Sequence, residues 1–210
     1  MIRRLCFASC YVYSPVGTGR VSQRSRLLRS LLKAADERFI EMYAVRVHQQ
    51  AAGGSAALRG YFSDDDILVP VPGSAPACMN RAWGAARLAE ALVCEGLGRA
   101  AWGGLQRVSP VPKSAYSLTG GRPSIDRHYD SFALATPLCP PQSIILVDDI
   151  VTKGRTLLAA AVRLHEAFPR ARIKAFALVR TMGLISEVNC LLEPCRGEIR
   201  WRGGDAIRRP

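Results

Sequence analysis

No two cysteines of this chain form a C-x-x-C pair, although it has seven: Cys6, Cys10, Cys78, Cys94, Cys139, Cys190 and Cys195. An odd and scattered set makes buried, reduced thiols the expectation. A zinc set drawn from Cys6, Cys10, Cys190 and Cys195 fits the spacing of structural zinc sites poorly. Long apolar runs are missing too: none approaches the roughly 18 residues of a membrane span, and there is no signal-peptide pattern. The expected location is therefore the cytoplasm. Gly17, Thr18, Gly19 and Arg20 lack the rest of a Walker motif and read as a turn. Acidic residues are scarce, 17 against 29 Lys and Arg, so the net charge is +12 and the pI about 9.9. That balance favours an anionic partner: a pyrophosphorylated sugar, a nucleotide or nucleic acid. Hydrophobic content of 49% and length of 210 residues suit one globular α/β domain with extensions, or a domain plus a small subdomain.

What the chain does have is concentrated between Ser143 and Thr156, SIILVDDIVTKGRT. Ile144 to Val147 are apolar on both faces, the pattern of a buried parallel strand. Asp148 and Asp149 are expected to end it. Thr152, Lys153, Gly154, Arg155 and Thr156 then form a loop before a helix with apolar positions at Leu157, Leu158, Ala161, Leu164 and Phe168. A loop between strand end and helix start offers backbone N–H groups and the positive end of the helix dipole, which suits a phosphate monoester. Threonine hydroxyls and the two cations add to it, and the two carboxylates suit sugar hydroxyls. These residues describe a ribose 5-phosphate site.

The run ILVDDIVTKGRTL, Ile145 to Leu157, resembles the phosphoribosyl pyrophosphate (PRPP) signature of type I phosphoribosyltransferases. Earlier in the chain, ILVPVPGSAP from Ile67 is an apolar strand stopped by prolines, and VPVPGSAPACMNRAWGAARLAEAL resembles the amidophosphoribosyltransferase and ComF branches of that family. The resemblance covers about Ile67 to Thr181. It implies an α/β fold, a mostly parallel sheet with flanking helices, here with an amino-terminal helical extension. It implies Mg2+, and an enzyme that moves phosphoribosyl from PRPP to an unidentified nitrogen acceptor with release of pyrophosphate. Asp148 and Asp149 would hold the ribose hydroxyls and, through them or water, the metal. Thr152 to Thr156 would bind the 5′-phosphate, and Gly73, Ser74 and Ala75 with Lys113 the pyrophosphate. Arg81 is a further candidate for anion contact.

Around this core the expected organisation is an amino-terminal extension (1–60), a phosphoribosyltransferase-like domain (61–185) and a basic tail (186–210). Met1 to Pro15 alternates weakly through Leu5, Phe7, Tyr11 and Tyr13, as an added edge strand does. From Gln23 to about His48, with Ser22 as N-cap, apolar residues recur at the spacing of one long amphipathic helix. Ala51 to Gly60 is expected to be a boundary or mobile loop, and Asp64 to Asp66 a solvated one. Ala82 to Leu97 and Ala171 to Val179 read as helix and strand. The polar stretch from Ser109 to Ser131 reads as a lid, with Gly120 and Gly121 as pivots and Lys113, Arg122, Arg127 and His128 as its cations.

Two departures bear on the acceptor. The 6-oxopurine branch of the family carries an aspartate where this chain has Thr152, which argues against that branch, and Lys153 stands where a small residue is usual. The C-x-x-C motifs common in ComF-like proteins are absent. Much of the basic charge (Arg3, Arg4, Arg20, Arg24, Arg26, Arg29, Lys33, Arg200, Arg202, Arg208, Arg209) lies in sequence outside the suspected site. The alternative reading is thus a non-catalytic PRPP-binding regulator, or a ComF-like accessory protein in DNA uptake or processing. Nucleic acid and a homodimer remain open as partners; a membrane does not.

Overall fold

In the computed structural model of the chain, the described residues are 2–76, 83–112, 123–135, 139–183, 185 and 187–210. Lys113, Gly120, Gly121, Arg122, Arg81 and Cys78 lie outside them. The strands are β1 (Arg4–Tyr13), β2 (Ile67–Pro70), β3 (Ala100–Ala101), β4 (Leu105–Arg107), β5 (Phe132–Leu134), β6 (Ser143–Val151), β7 (Arg172–Thr181), β8 (Leu192–Arg202) and β9 (Asp205–Arg209). Seven form one mixed, mostly parallel sheet in the order β3-β2-β6-β7-β1-β8-β9, while β4 and β5 pair separately. The five strands from β3 to β1 run parallel, and β8 and β9 add antiparallel.

Helices α1 (Arg20–Ala34), α2 (Glu37–Gln49) and α3 (Gly84–Cys94) cover one face, and α4 (Ile125–Asp130) and α5 (Arg155–Ala167) the other. The alternation of β6 serves both: Ile145 and Val147 join Leu28, Leu32, Val47 and Leu88, whereas Ile144 and Leu146 join Leu157, Leu158, Leu164 and Phe7. A fully buried Leu in such a core contributes about 1.5–3 kcal/mol by leaving water, so Leu146→Ala should cost about 2–5 kcal/mol.

Several expectations change. β1 is an interior strand between β7 and β8, not an edge, because Phe7 to Val12 are buried on both faces. The long helix is two: Ala35 adopts left-handed φ 52° and Asp36 caps α2 by accepting the Phe39 N–H at 2.9 Å, a local bond that competes with continuing the helix. Ser22 lies inside α1, which starts after Gly19. Within residues 51–60, mostly exposed, a π-helical turn, Gln50–Gly54, leads to the fully buried Leu58. Asp66 is buried, accepting from Ser63 N and Ser143 Oγ and pairing with Lys174 at 3.1 Å. The basic tail contains an antiparallel hairpin: Gly203 (φ 57°) and Gly204 (φ 83°) make its two-residue turn, both needing the positive φ of a type I′ connection. Of the described cysteines only Cys10 is buried; Cys6, Cys94, Cys139 and Cys190 are exposed. Among the described residues no helix is long and apolar enough to cross a membrane.

Candidate functional site

Parallel strands release their chains at one end of the sheet, and the loops that follow β2 and β6 lie side by side there. Pro70 pairs with Val147, and the Val71 N–H still donates to the Val147 carbonyl at 2.8 Å. The Pro72–Ala75 loop therefore leaves the sheet next to Asp148.

Contrary to expectation, the acid pair does not end β6, whose ladder to β7 runs on to Val151. Alternation sends Asp149 to the side of α1 and α3, where Lys33 Nζ lies 2.5 Å from its Oδ2. Gly84 opens α3 at the same point: a Cβ there would come within 2.6 Å of the Leu32 carbonyl oxygen and 3.8 Å of Asp149 Oδ2. Asp148 folds back to accept the Asp149 N–H at 2.9 Å. Burial, reinforced by the Asp149 charge, holds the Asp148 carboxyl well above the usual carboxylate range, and Lys33 opposes this. Burial works against Lys33, yet Asp149 and Asp148 outweigh it and its pKa is raised. Lys33, distant in sequence, thus stands at the acid pair.

The loop of Gly73, Ser74 and Ala75 is held from beneath by a residue that sequence reasoning missed. Arg107, buried in β4, donates to the carbonyls of Gly73 and Pro72 and to Ser131 Oγ, with its guanidinium 4.4 Å above the Phe132 ring centre. Burial lowers its pKa to about 10, and Asp148 acts in the opposite sense. Val111 N–H donates to the Ser74 carbonyl at 2.9 Å and Trp83 Nε1 to the Val71 carbonyl at 3.0 Å.

On the other side, Gly154 turns into α5 with φ 85° and caps it with no side chain, so first-turn N–H groups face the loop as an anion site requires. Ile199 of β8 packs against Gly154 so closely that a Cβ there would lie 2.5 Å from its Cδ1. The loop's two cations share one carboxylate: Lys153 Nζ is 2.9 Å from Asp205 Oδ2, and Arg155 Nη2 is 2.8 Å from the same oxygen while its Nε donates to Oδ1. These bonds hold Asp205 below the usual carboxylate range. Arg208 Nε donates to the Thr152 carbonyl at 2.7 Å, and Thr152 Oγ1 is 3.3 Å from Thr181 Oγ1. Asp205 and Arg208, read from sequence as part of a remote tail, are neighbours of the loop. The signal available was the Gly203-Gly204 turn flanked by alternating residues.

His128, expected as a lid cation, is instead buried in α4, with Nε2 3.5 Å from Thr156 Oγ1 and Nδ1 without a partner. Burial and then the charges of Arg107, Arg155 and Arg127 lower its pKa to about 4, which keeps it neutral at pH 7. Among the described residues no group of three His, Cys, Asp or Glu side chains is placed to hold a metal. Two adjacent carboxylates with only oxygen donors fit magnesium, which keeps most of its water and takes few protein ligands.

No protein-family profile and no curated protein matches the chain. In three dimensions it is similar to a hypoxanthine phosphoribosyltransferase from Staphylococcus aureus, with TM-score 0.36 and 10% identity over 75% of this chain and 71% of that one. It is also similar to the hypoxanthine phosphoribosyltransferase of Trypanosoma cruzi in complex with IMP, with TM-score 0.32 and 17% identity over 70% and 66% of the two chains. At these scores the likeness carries no functional argument, which rests on the site itself.

Proposed function

We propose that the chain is a phosphoribosyltransferase: it takes PRPP, forms a bond from the ribose C1 to a nitrogen acceptor and releases pyrophosphate. The observation that supports this best is the acid pair of β6 set between two anion-suited loops at the same end of a parallel sheet. Ribose hydroxyls would meet Asp148 and Asp149. The 5′-phosphate would meet the N–H groups of the Thr152–Thr156 loop with the threonine hydroxyls. The leaving pyrophosphate would lie over Gly73, Ser74 and Ala75, whose backbone Arg107 fixes, with Lys113 assigned to it on the sequence pattern. Preorganised donors of this kind act where charge develops, on the departing oxygens. Bound magnesium would neutralise part of that charge, held by Asp148 and Asp149 through the ribose hydroxyls or water. Pyrophosphate release from PRPP over a panel of nitrogen heterocycles and amines tests the reading: turnover with one member supports it, and no release with any counts against an enzyme.

A second reading is supported by the outer face of the hairpin. Arg196, Arg200 and Arg202 of β8 point to the same side as Arg4 and Arg209, all exposed, with Glu198 as the carboxylate among them. A nucleic-acid accessory protein would use such a face, and its affinity would then fall steeply with salt. Flat affinity between low and moderate salt would remove that reading.

A further inference from the structure

At the ends of β6, β7 and β1, beside the phosphate loop, lies a cavity of about 680 Å³ that includes Thr152, Lys153, Thr181 and Arg208. It is far larger than a phosphate requires and falls in the range of small-molecule sites. Its apolar lining comes from Pro15, Met182 and Pro210. The cations around it are not equally engaged. Arg180, buried, is paired with Glu193, and Lys153 with Asp205. Arg208 is different: its Nε and Nη2 donate to the backbone carbonyls of Thr152 and Thr181, at 2.7 and 2.5 Å, and among the described residues no carboxylate pairs with it. Two neutral acceptors fix the plane of the guanidinium without cancelling its charge, and its Nη1 hydrogens have no acceptor among the described residues. Burial, and then the charge of Arg180, push its pKa down, the direction of a cation short of a counter-anion. A planar, immobilised fork with donors to spare matches a carboxylate better than a point charge would.

We propose that this cavity receives the acceptor, and that the acceptor carries a carboxylate on a ring: the carboxylate on Arg208, the ring against Pro15 and Met182. The proposal rests on the phosphoribosyl-transfer reading, in which the 5′-phosphate meets the Thr152–Thr156 loop and the ribose meets Asp148 and Asp149, so that this cavity, which shares Thr152 and Lys153 with that loop, opens beside the bound sugar phosphate.

The probes are benzoate and its neutral isostere benzamide, titrated by calorimetry into the full chain with PRPP and magnesium titrated in parallel. Benzoate should bind about tenfold more tightly than benzamide, and Arg208→Gln should erase that difference. Met182→Trp, which fills the cavity and leaves every charge, should weaken benzoate as well; it decides the matter should Arg208→Gln fail to fold. Equal binding of the two probes, no benzoate binding, or benzoate binding untouched by Met182→Trp overturns the proposal. PRPP binding without benzoate binding overturns this inference alone. Benzoate binding that meets these criteria without PRPP binding overturns the transferase reading and leaves a carboxylate pocket.

Discussion

Gly154 is where the Thr152–Thr156 loop and the carboxy-terminal hairpin meet, and replacing it tests both. Gly154→Ala places a methyl group on a residue with φ 85°, a conformation that costs a non-glycine residue about 1–2 kcal/mol. The new Cβ would stand 2.5, 2.8 and 2.9 Å from Ile199 Cδ1, Cγ1 and Cγ2. Three atoms of one branched, fully buried side chain cannot all rotate away, so overpacking adds about 1–3 kcal/mol. The expected total is about 2–5 kcal/mol, read from urea unfolding as a lowered midpoint at unchanged slope. Ile199→Ala alone should cost about 2–5 kcal/mol by opening a cavity. In the double variant the overlap disappears and only the φ strain of Gly154→Ala remains, so the double should be more stable than the sum of the singles predicts by about 1–3 kcal/mol. Additive effects, or a single-variant loss below about 0.5 kcal/mol, would refute the packing of the hairpin on the loop.

Three further outcomes follow from the site. His128 binds its proton at about 4 in the folded chain against an ordinary 6.5, so the unfolded state is the better base and stability falls as pH drops from 6.5 to 4, by on the order of 3 kcal/mol; in His128→Gln that acid slope should flatten, and an unchanged slope would contradict the burial argument. Lys33→Met should lower stability by less than about 1 kcal/mol, because the lysine side chain is 53% exposed, while weakening PRPP with magnesium by about tenfold; unaltered affinity in calorimetry would place Lys33 outside the site. Asp205→Asn releases Lys153 and Arg155 from their shared carboxylate, so inorganic phosphate should bind more tightly, and weaker binding would show that Asp205 positions those cations for the ligand.

The sheet's centre was legible because its strands are apolar on both faces: Ile144 to Val147 and Ala175 to Val179 are buried throughout. Both loops at the site were legible for a related reason, since prolines at 70 and 72 and a glycine at 154 punctuate apolar runs. What escaped depends on contacts distant in sequence. Arg107 reads as one more surface arginine until Gly73 and Ser131 close around it. Lys33 lies 116 residues from Asp149, and nothing local distinguishes it from Arg29. The split of the first helix was present in Asp36 followed by Glu37, a start signal overridden by the continuing apolar period. The hairpin was hidden by its charge: Arg196, Arg200 and Arg202 alternate with Cys195, Gly197, Ile199 and Trp201, and the glycine among them weakens the apolar face.

Calorimetric titration of the chain with PRPP and magnesium, beside the double variant Asp148→Asn with Asp149→Asn, tests the central claim most directly. The account predicts saturable binding by the native chain, and a loss in the variant that is larger for PRPP than for inorganic phosphate, because the acids meet the ribose and the loop meets the phosphate. Absence of PRPP binding at about millimolar concentration, which is weaker than roughly 4 kcal/mol, or an equal loss for both ligands, would contradict it.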